Sequence, residues 1–390
     1  MRKMKFAVVS FLIAFSALLL PSCSKKAGEA EWKAEIETVD GVKTIRNPAT
    51  PRYGEFAFNL VQDLAIGEEK SETSFFPNGV QLSVDAEGMI YVSDFGNRRI
   101  QVFDRNGNFV RTLGRQGQGP GEFQFPGKVL FDDQGHLLVW EGLGLIVFNR
   151  DGTFLRNVPL KLAFNWQIIG PRGTIIGRPQ PNPRAEKGPK NEIVQLGQNG
   201  ERLRTLAEYP LYGVVKNVVI AHWYTGDIVL CRRLEDSLYC GFSLDETIRV
   251  LDADGRLLFA FSRVEKGIPI SAEEVAVTRK EGIYGMSGSS DREKGDLGLP
   301  DHRPFYSRFF SDKAGRLYVI RFKPITEKDD PAYKVDVFSK DGYFLYRMAW
   351  NFIPNEINDG YLYKVQEDEN AGLCKIIRFK IANWADFKDK

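Results

Sequence analysis

Three histidines stand among 390 residues, His136, His222 and His302, and they bound the acid–base and metal chemistry open to the chain. Imidazole is the usual proton carrier near neutral pH and a common zinc ligand. His136 falls in a Gly-containing turn and His302 in a long polar stretch. That leaves His222, in AHWYTGD, as the histidine able to approach a shared centre. No Gly-x-Ser-x-Gly elbow, phosphate-binding loop or Cys-x-x-Cys pair occurs. A calcium site built from carboxylates stays open, because its ligands would be scattered singly along the chain. The expectation is an unknown catalytic assignment and no cofactor, with Ca²⁺ or Zn²⁺ in a central channel as the alternative and His222 as the alternative metal ligand. The other residues able to do chemistry are cations at strand ends: Arg98, Arg178, Arg232, Arg233 and Lys323, with Asp94, Glu141, Glu367 and Asp368 in comparable places. Grouped arginines hold carboxylate or sulfate bidentately, or they form ion pairs between neighbouring elements. Arg98, Arg178, Arg232, Lys323, Asp94 and Glu141 are therefore the ligand-binding candidates, although Asp94 and Asn97 also suit bracing of their own turn.

Positioning such residues requires a scaffold. The chain is 43% hydrophobic and 27% charged, as in a globular protein with ample core. Twenty-eight Phe and 14 Tyr beside 37 Gly point to many short strands and turns. Residues 80–114, VQLSVDAEGMIYVSDFGNRRIQVFDRNGNFVRTLG, alternate apolar and polar residues with the period of half-buried antiparallel strands. They read as strand, tight turn, strand, loop, strand, Asn-Gly turn, strand. The pattern recurs, with its last turn at Asn106-Gly107, Asp151-Gly152, Asn199-Gly200, Asp254-Gly255 and Asp341-Gly342. A four-stranded unit repeating every 40 to 50 residues or so is the signature of a β-propeller. A sixth unit near the C-terminus lacks an outer strand, which residues 54–67, GEFAFNLVQDLAIG, can supply. The expected fold is all-β: six four-stranded antiparallel blades, the last closed by an N-terminal strand, over residues 54–390.

The first unit carries Asp94, Asn97, Arg99, Ile100, Gln101, Val102 and Phe103, then Gly117-x-Gly119-x-Gly121-x-Phe123. This run resembles the NHL repeat, over about 50 residues. The resemblance implies a six-bladed propeller used mostly as a binding platform, with amidating lyases and lactonase-like hydrolases on related scaffolds.

The N-terminus gives an address. Met1 to Lys5 is basic, Phe6 to Leu20 is uncharged, and Leu20-Pro21-Ser22-Cys23 follows. The apolar run is short for a spanning helix and suits a secretory signal. Its end resembles the lipobox of bacterial lipoproteins, which implies cleavage after residue 22 and lipid attachment at Cys23. Loss of Arg2, Lys3 and Lys5 leaves 50 basic against 51 acidic residues, so no electrostatic footprint for nucleic acid remains. Polar residues 23–53 read as the lipidated N-terminus and a flexible tether. Cys231 and Cys240 either face each other across a hairpin as a disulfide or stay free thiols.

Loop lengths then point to a binding face. In a propeller the first-to-second and third-to-fourth strand turns share one face, and here they are tight. The other face collects residues 178–190, 323–332 and an insertion at 264–305, where Ser271-Ala272-Glu273-Glu274 suits a capped helix. The reading is an exported, lipid-anchored monomer whose long-loop face binds a protein, peptide or glycan of the envelope. The alternative is a metal-assisted lyase or lactonase-like hydrolase working in the central channel.

Overall fold

The structure, a computed structural model, describes residues 32–67, 74–75, 79–160, 164–170, 173–180, 190–212, 214–215, 218–219, 224–234, 237–281, 298–368 and 372–388. The signal segment 1–22, Cys23 and His222 lie outside them. All described strands belong to Ala34–Lys390, the second of two compact units; the first is Met1–Lys33.

The chain begins with a hairpin, β1 (Glu35–Val39) and β2 (Val42–Asn47), and then β3 (Leu60–Ile66). Blade one is β4 (Val80–Val84), β5 (Ile90–Asp94), β6 (Arg99–Phe103) and β7 (Phe109–Leu113). Blade two is β8 (Pro126–Phe131), β9 (Leu137–Glu141), β10 (Gly144–Phe148) and β11 (Phe154–Pro159). Blade three is β12 (Phe164–Ile169), β13 (Ile175–Pro179), β14 (Asn191–Leu196) and β15 (Arg202–Tyr209). A two-residue ladder, β16 (Val214–Val215) with β17 (Val218–Val219), leads to blade four. That blade is β18 (Ile228–Leu234), β19 (Ser237–Phe242), β20 (Ile248–Asp252) and β21 (Leu257–Arg263). Helix α1 (Ala272–Glu281) precedes blade five, β22 (Tyr306–Ser311), β23 (Leu317–Arg321), β24 (Tyr333–Phe338) and β25 (Phe344–Trp350). Blade six has β26 (Glu356–Asn358), β27 (Tyr361–Asp368) and β28 (Leu373–Ile381), completed by β3 on the outside.

Innermost strands neighbour one another in cyclic order, β4, β8, β12, β18, β22, β26 and back to β4, so six blades form a ring. The closing strand pairs antiparallel with β28, from Ile376 opposite Ile66 to Ile381 opposite Leu60. This is the closure expected from residues 54–67, and it gives the last blade its fourth strand. Apolar clusters fill the seams between blades: Ile90 and Val92 of blade one, for example, pack with Tyr363 and Ile376 of blade six. A middle strand such as β5 is buried throughout because another blade covers each of its faces.

Two expectations are corrected. Residues 35–47, read as tether, are part of the fold: β2 runs parallel to β21 and extends blade four to six strands with β1. The hairpin turns at Asp40-Gly41, both with positive φ. Its exposed residues are mostly charged or polar, with Ile36 and Val39 among them, and that composition conceals the fully buried Ile45 and Asn47. The Asn47 amide bolts two blades together. Its Nδ2 donates to the carbonyls of Ser262 (2.9 Å) and Gly342 (2.8 Å), and its Oδ1 accepts from the Phe344 N–H (3.0 Å). Beyond it, Arg52, Tyr53 and Phe56 hydrogen-bond along β25, so the N-terminal strap lies on blades four, five and six in turn.

The strand register of blade four also differs. Thr225-Gly226, a turn signal by its residues, precedes the innermost strand and does not join the first two strands. The structure makes Ile228–Leu234 innermost and the buried Ser237–Phe242 second. The charged run Arg232-Arg233-Leu234-Glu235-Asp236 hides that second strand, since its turn lacks an Asx-Gly pair.

Candidate functional site

The tight-turn face is structural. Six of its turns begin with a side chain that accepts the next N–H groups: Asp104 Oδ1, for example, takes those of Asn106 (2.8 Å) and Asn108 (2.9 Å). Asp85, Asp132, Asp252, Asp312 and Ser339 do the same at their turns. The legible sequence signal was an Asp or Ser three residues before the glycine of each of these six turns, and the Asx-Gly reading passed over it. His136 belongs to this set, with its Nδ1 2.7 Å from Asp132 Oδ2.

Because blade four is shifted, Arg232 ends an innermost strand on this same face, and its assignment to the long-loop face is corrected. It pairs with Asp133 in the first turn of blade two. Arg233 donates to the Lys340 carbonyl in a turn of blade five (2.8 Å).

The remaining candidates lie on the long-loop face but are spread over four blades. Asp94 is fully buried and accepts from the Asn97 side chain (2.7 Å) and the Asn97 N–H (3.2 Å), bracing its own turn. Arg98 adopts positive φ in that turn. Glu141 accepts the N–H groups of Gln124 and Phe125, both at 2.9 Å, and so holds the crossover between blades one and two. Arg178 bridges blades three and four through Asp227. Burial raises the Asp227 pKa despite that attraction. Lys323 donates to the Asp330 carbonyl within its own loop and lies 4.5 Å from the Tyr333 ring centroid. The Gly-rich crossover does cradle an anion, but one of its own: Glu122 Oε2 accepts the Gly119 N–H (2.9 Å) and Oε1 accepts from Arg115 (2.8 Å).

What the structure brings together is a different set of charges, in a cleft of about 510 Å³ between blades four and five. Arg263 ends β21, Arg321 ends β23, Arg347 lies in β25, and all three surround Asp336 of β24, which is 1% exposed. Asp336 Oδ1 accepts from Arg347 Nε (3.1 Å), while its Oδ2 lies 3.3 Å from Arg263 Nε and 3.7 Å from Arg321 Nε. Glu265 takes Nη2 of both Arg263 (2.6 Å) and Arg321. Burial, and then the neighbouring Arg263, push the Arg321 pKa down. Sequence reasoning missed this cluster. The available signal was a carboxylate inside the strand YKVDVF, where a core position cannot hold a charge without partners.

A second cleft of about 600 Å³ opens between blades three and four. Its walls include Phe242 stacked with Tyr209 (5.2 Å between centroids) and with Tyr212 (6.4 Å). The 264–305 insertion walls both clefts: Pro300, Asp301 and His302 on one side, Glu265, Ile268 and Arg303 on the other. Its base is pinned by the Pro269–His302 bridge and by the Arg303 N–H donating to Ile268 (2.8 Å). Helix α1 starts with the expected cap, Ser271 Oγ accepting the Glu274 N–H (3.2 Å) and Glu274 Oε2 accepting the Ser271 N–H (2.8 Å). The buried Glu274 carboxylate also accepts from Tyr224 (2.7 Å) and from Arg303 Nη2 (2.8 Å) and Nε (3.0 Å). Burial alone would raise its pKa, but these bonds hold it below the usual carboxylate range.

Among the described residues no group of three His, Cys, Asp or Glu is arranged to hold a metal ion. Cys231 pairs with Tyr239 and Leu230 with Cys240, so the two thiols lie on opposite faces of the hairpin and form no disulfide.

A family model described as a 6-bladed beta-propeller matches residues 78–165, blade one to the start of blade three. Solved structures share the fold. A Bacteroides fragilis protein described as exported has a TM-score of 0.53 at 12% identity, covering 86% of this chain and 99% of that one. A member of the DUF4221 family from Bacteroides vulgatus has a TM-score of 0.50 at 16% identity, covering 83% and 98%. A gluconolactonase from Xanthomonas campestris matches at 0.40 and 14% identity, covering 82% and 98%, too distant to carry any argument about activity. No curated protein matches the chain. At these identities the likeness establishes architecture alone, and the architecture is a six-bladed β-propeller.

Proposed function

We propose that this protein is an exported, lipid-anchored binding platform that takes a protein, peptide or glycan on the long-loop face of its propeller, beside blade four. The observation that carries the reading is the 264–305 insertion, which walls two clefts of about 600 and 510 Å³, whereas six turns of the opposite face are braced by their own side chains and the cleft there is smaller, about 430 Å³. Variable loops on a rigid ring are where ligand contacts concentrate. The lipobox-like Leu20 to Cys23 and the NHL-like run in blade one support the address and the platform role respectively.

Two measurements test it. Incorporation of labelled palmitate in the native host should vanish in Cys23→Ala. Photo-crosslinking residues placed at Ile268 and Leu143, both exposed on the long-loop face, should give adducts in intact cells, whereas one at Asn106 on the turn face should not. Equal adducts from both faces, or adducts from Asn106 alone, would refute the face assignment.

A further inference from the structure

We propose that the cleft between blades four and five holds the free C-terminal carboxylate of a peptide, through the guanidinium groups of Arg263, Arg321 and Arg347. The proposal rests on the platform reading and specifies its ligand.

The first argument counts charges and donors. Three guanidinium groups share two carboxylates, Asp336 and Glu265, so one positive charge in the cluster has no counter-charge there. Hydrogen bonds are fewer still. Among the described residues, Arg263 and Arg321 each place only Nη2 on an acceptor, Glu265, and Arg347 places Nε on Asp336 and Nη2 on the Ala49 carbonyl. Arg263 Nε and Asp336 Oδ2 are buried without a hydrogen bond although they lie 3.3 Å apart. The Nη1 groups of all three arginines have no acceptor among the described residues. Of these donors only Arg263 Nε is fully buried, so the Nη1 groups stay open to an incoming ligand, and a carboxylate is the partner whose two oxygens fit their fork.

The second argument limits the ligand to a single charge. Seven basic and five acidic residues line the cleft, and Glu327, Asp330 and Glu55 lie around the arginine cluster. A polyuronate or other polyanion would bring its further charges against these carboxylates. One carboxylate attached to an otherwise neutral chain would not. Beside the cluster, Phe322, Pro324 and the 53% exposed Ile268 offer apolar surface for the side chain that precedes such a carboxylate.

The test uses the full-length chain in detergent and calorimetric titration with three probes: acetyl-Ala-Gly-Leu as the free acid, the same peptide as its C-terminal amide, and trigalacturonate. The acid should bind, and the amide should bind at least about tenfold more weakly, since it loses both the charge and the paired oxygens. Arg321→Gln should weaken the acid by at least about tenfold, and Arg321→Lys by less, because lysine keeps the charge but loses the fork. Should Arg321→Gln fail to fold, Ile268→Glu adds a carboxylate at the exposed wall without removing any hydrogen bond; both probes lose its apolar contact, and the acid should weaken more than the amide. Equal binding of acid and amide, absence of binding by both, indifference to these substitutions, or tighter binding of trigalacturonate would each overturn the proposal. The two readings fail separately: crosslinks from the long-loop face would persist if only the carboxylate assignment were wrong.

Discussion

Replacing Asn47 with alanine should loosen the N-terminal strap and, with it, the seam that forms the cleft. The side chain makes three buried hydrogen bonds, to Ser262 on β21 and to Gly342 and Phe344 at the last turn of blade five. The backbone carbonyl of Asn47 also accepts the Val264 N–H (2.9 Å), where the insertion begins. At about 1 kcal/mol per hydrogen bond, plus part of the penalty for orphaned partners, the loss comes to about 3–4 kcal/mol. Unfolding entropy near 2.1 cal/mol/K per residue, over roughly 350 residues, converts this to a fall in Tm of about 4–5 °C. If the strap peels off first, the same loss appears locally, as amide exchange in β2 and β21 faster by roughly two to three powers of ten. Asn47→Asp should be worse than alanine at neutral pH, because it sets a carboxylate oxygen against two carbonyl oxygens. Hydrogen exchange read by mass spectrometry, with a melting curve, checks all of this. A variant that melts with the wild type and keeps its exchange rates in residues 42–47 and 257–263 would show that the strap is not bolted at Asn47.

Glu274→Gln should cost about 2–3 kcal/mol, the discounted price of breaking a buried, hydrogen-bonded pair with the partly exposed Arg303. Since the folded pKa of Glu274 lies below its unfolded value, its contribution is complete above about pH 4.5 and is lost as pH falls through the folded pKa. Thermal melts should therefore show a shallower acid decline in the variant, and parallel declines would refute the linkage. Arg232→Ala, on the turn face, should leave binding of the free-acid peptide unchanged in titration, and a tenfold loss would contradict its placement. Burial pushes the thiols of Cys231 up to about 12 and of Cys240 and Cys374 up to about 11, so all three should resist iodoacetamide at pH 8 until the chain unfolds. Peptide mapping that finds rapid native labelling at any of them would count against this.

Much of the ring was legible residue by residue. Alternation in stretches such as 90–94 and 99–103 marks strands, and the Asx-Gly pairs mark turns, because both depend on neighbours close in sequence. The closing strand was legible too, since Leu60–Ile66 repeats the pattern of an outer strand and the last blade lacked one. The strap was not. A hairpin with one solvated face has the composition of a tether, and only Ile45 and Asn47 betray its docking. Blade four misled for a related reason, as a charged turn without glycine left its true second strand looking like part of a loop.

The cleft shows where local reasoning stops. Sequence alone carries the strand period, the turn chemistry and the count of six, and these suffice for a ring with long loops gathered on one face. It also marks cations at strand ends, but the ones it singled out proved to be braces within or between blades. Arg263, Arg321, Asp336 and Arg347 come from four strands of two blades, and they meet only because one blade rotates against the next while the strap holds the seam shut. Hydrogen-bonded neighbours along a strand are set by short-range geometry. Which charges share a buried volume is set by long-range packing, and that decision belongs to the tertiary structure.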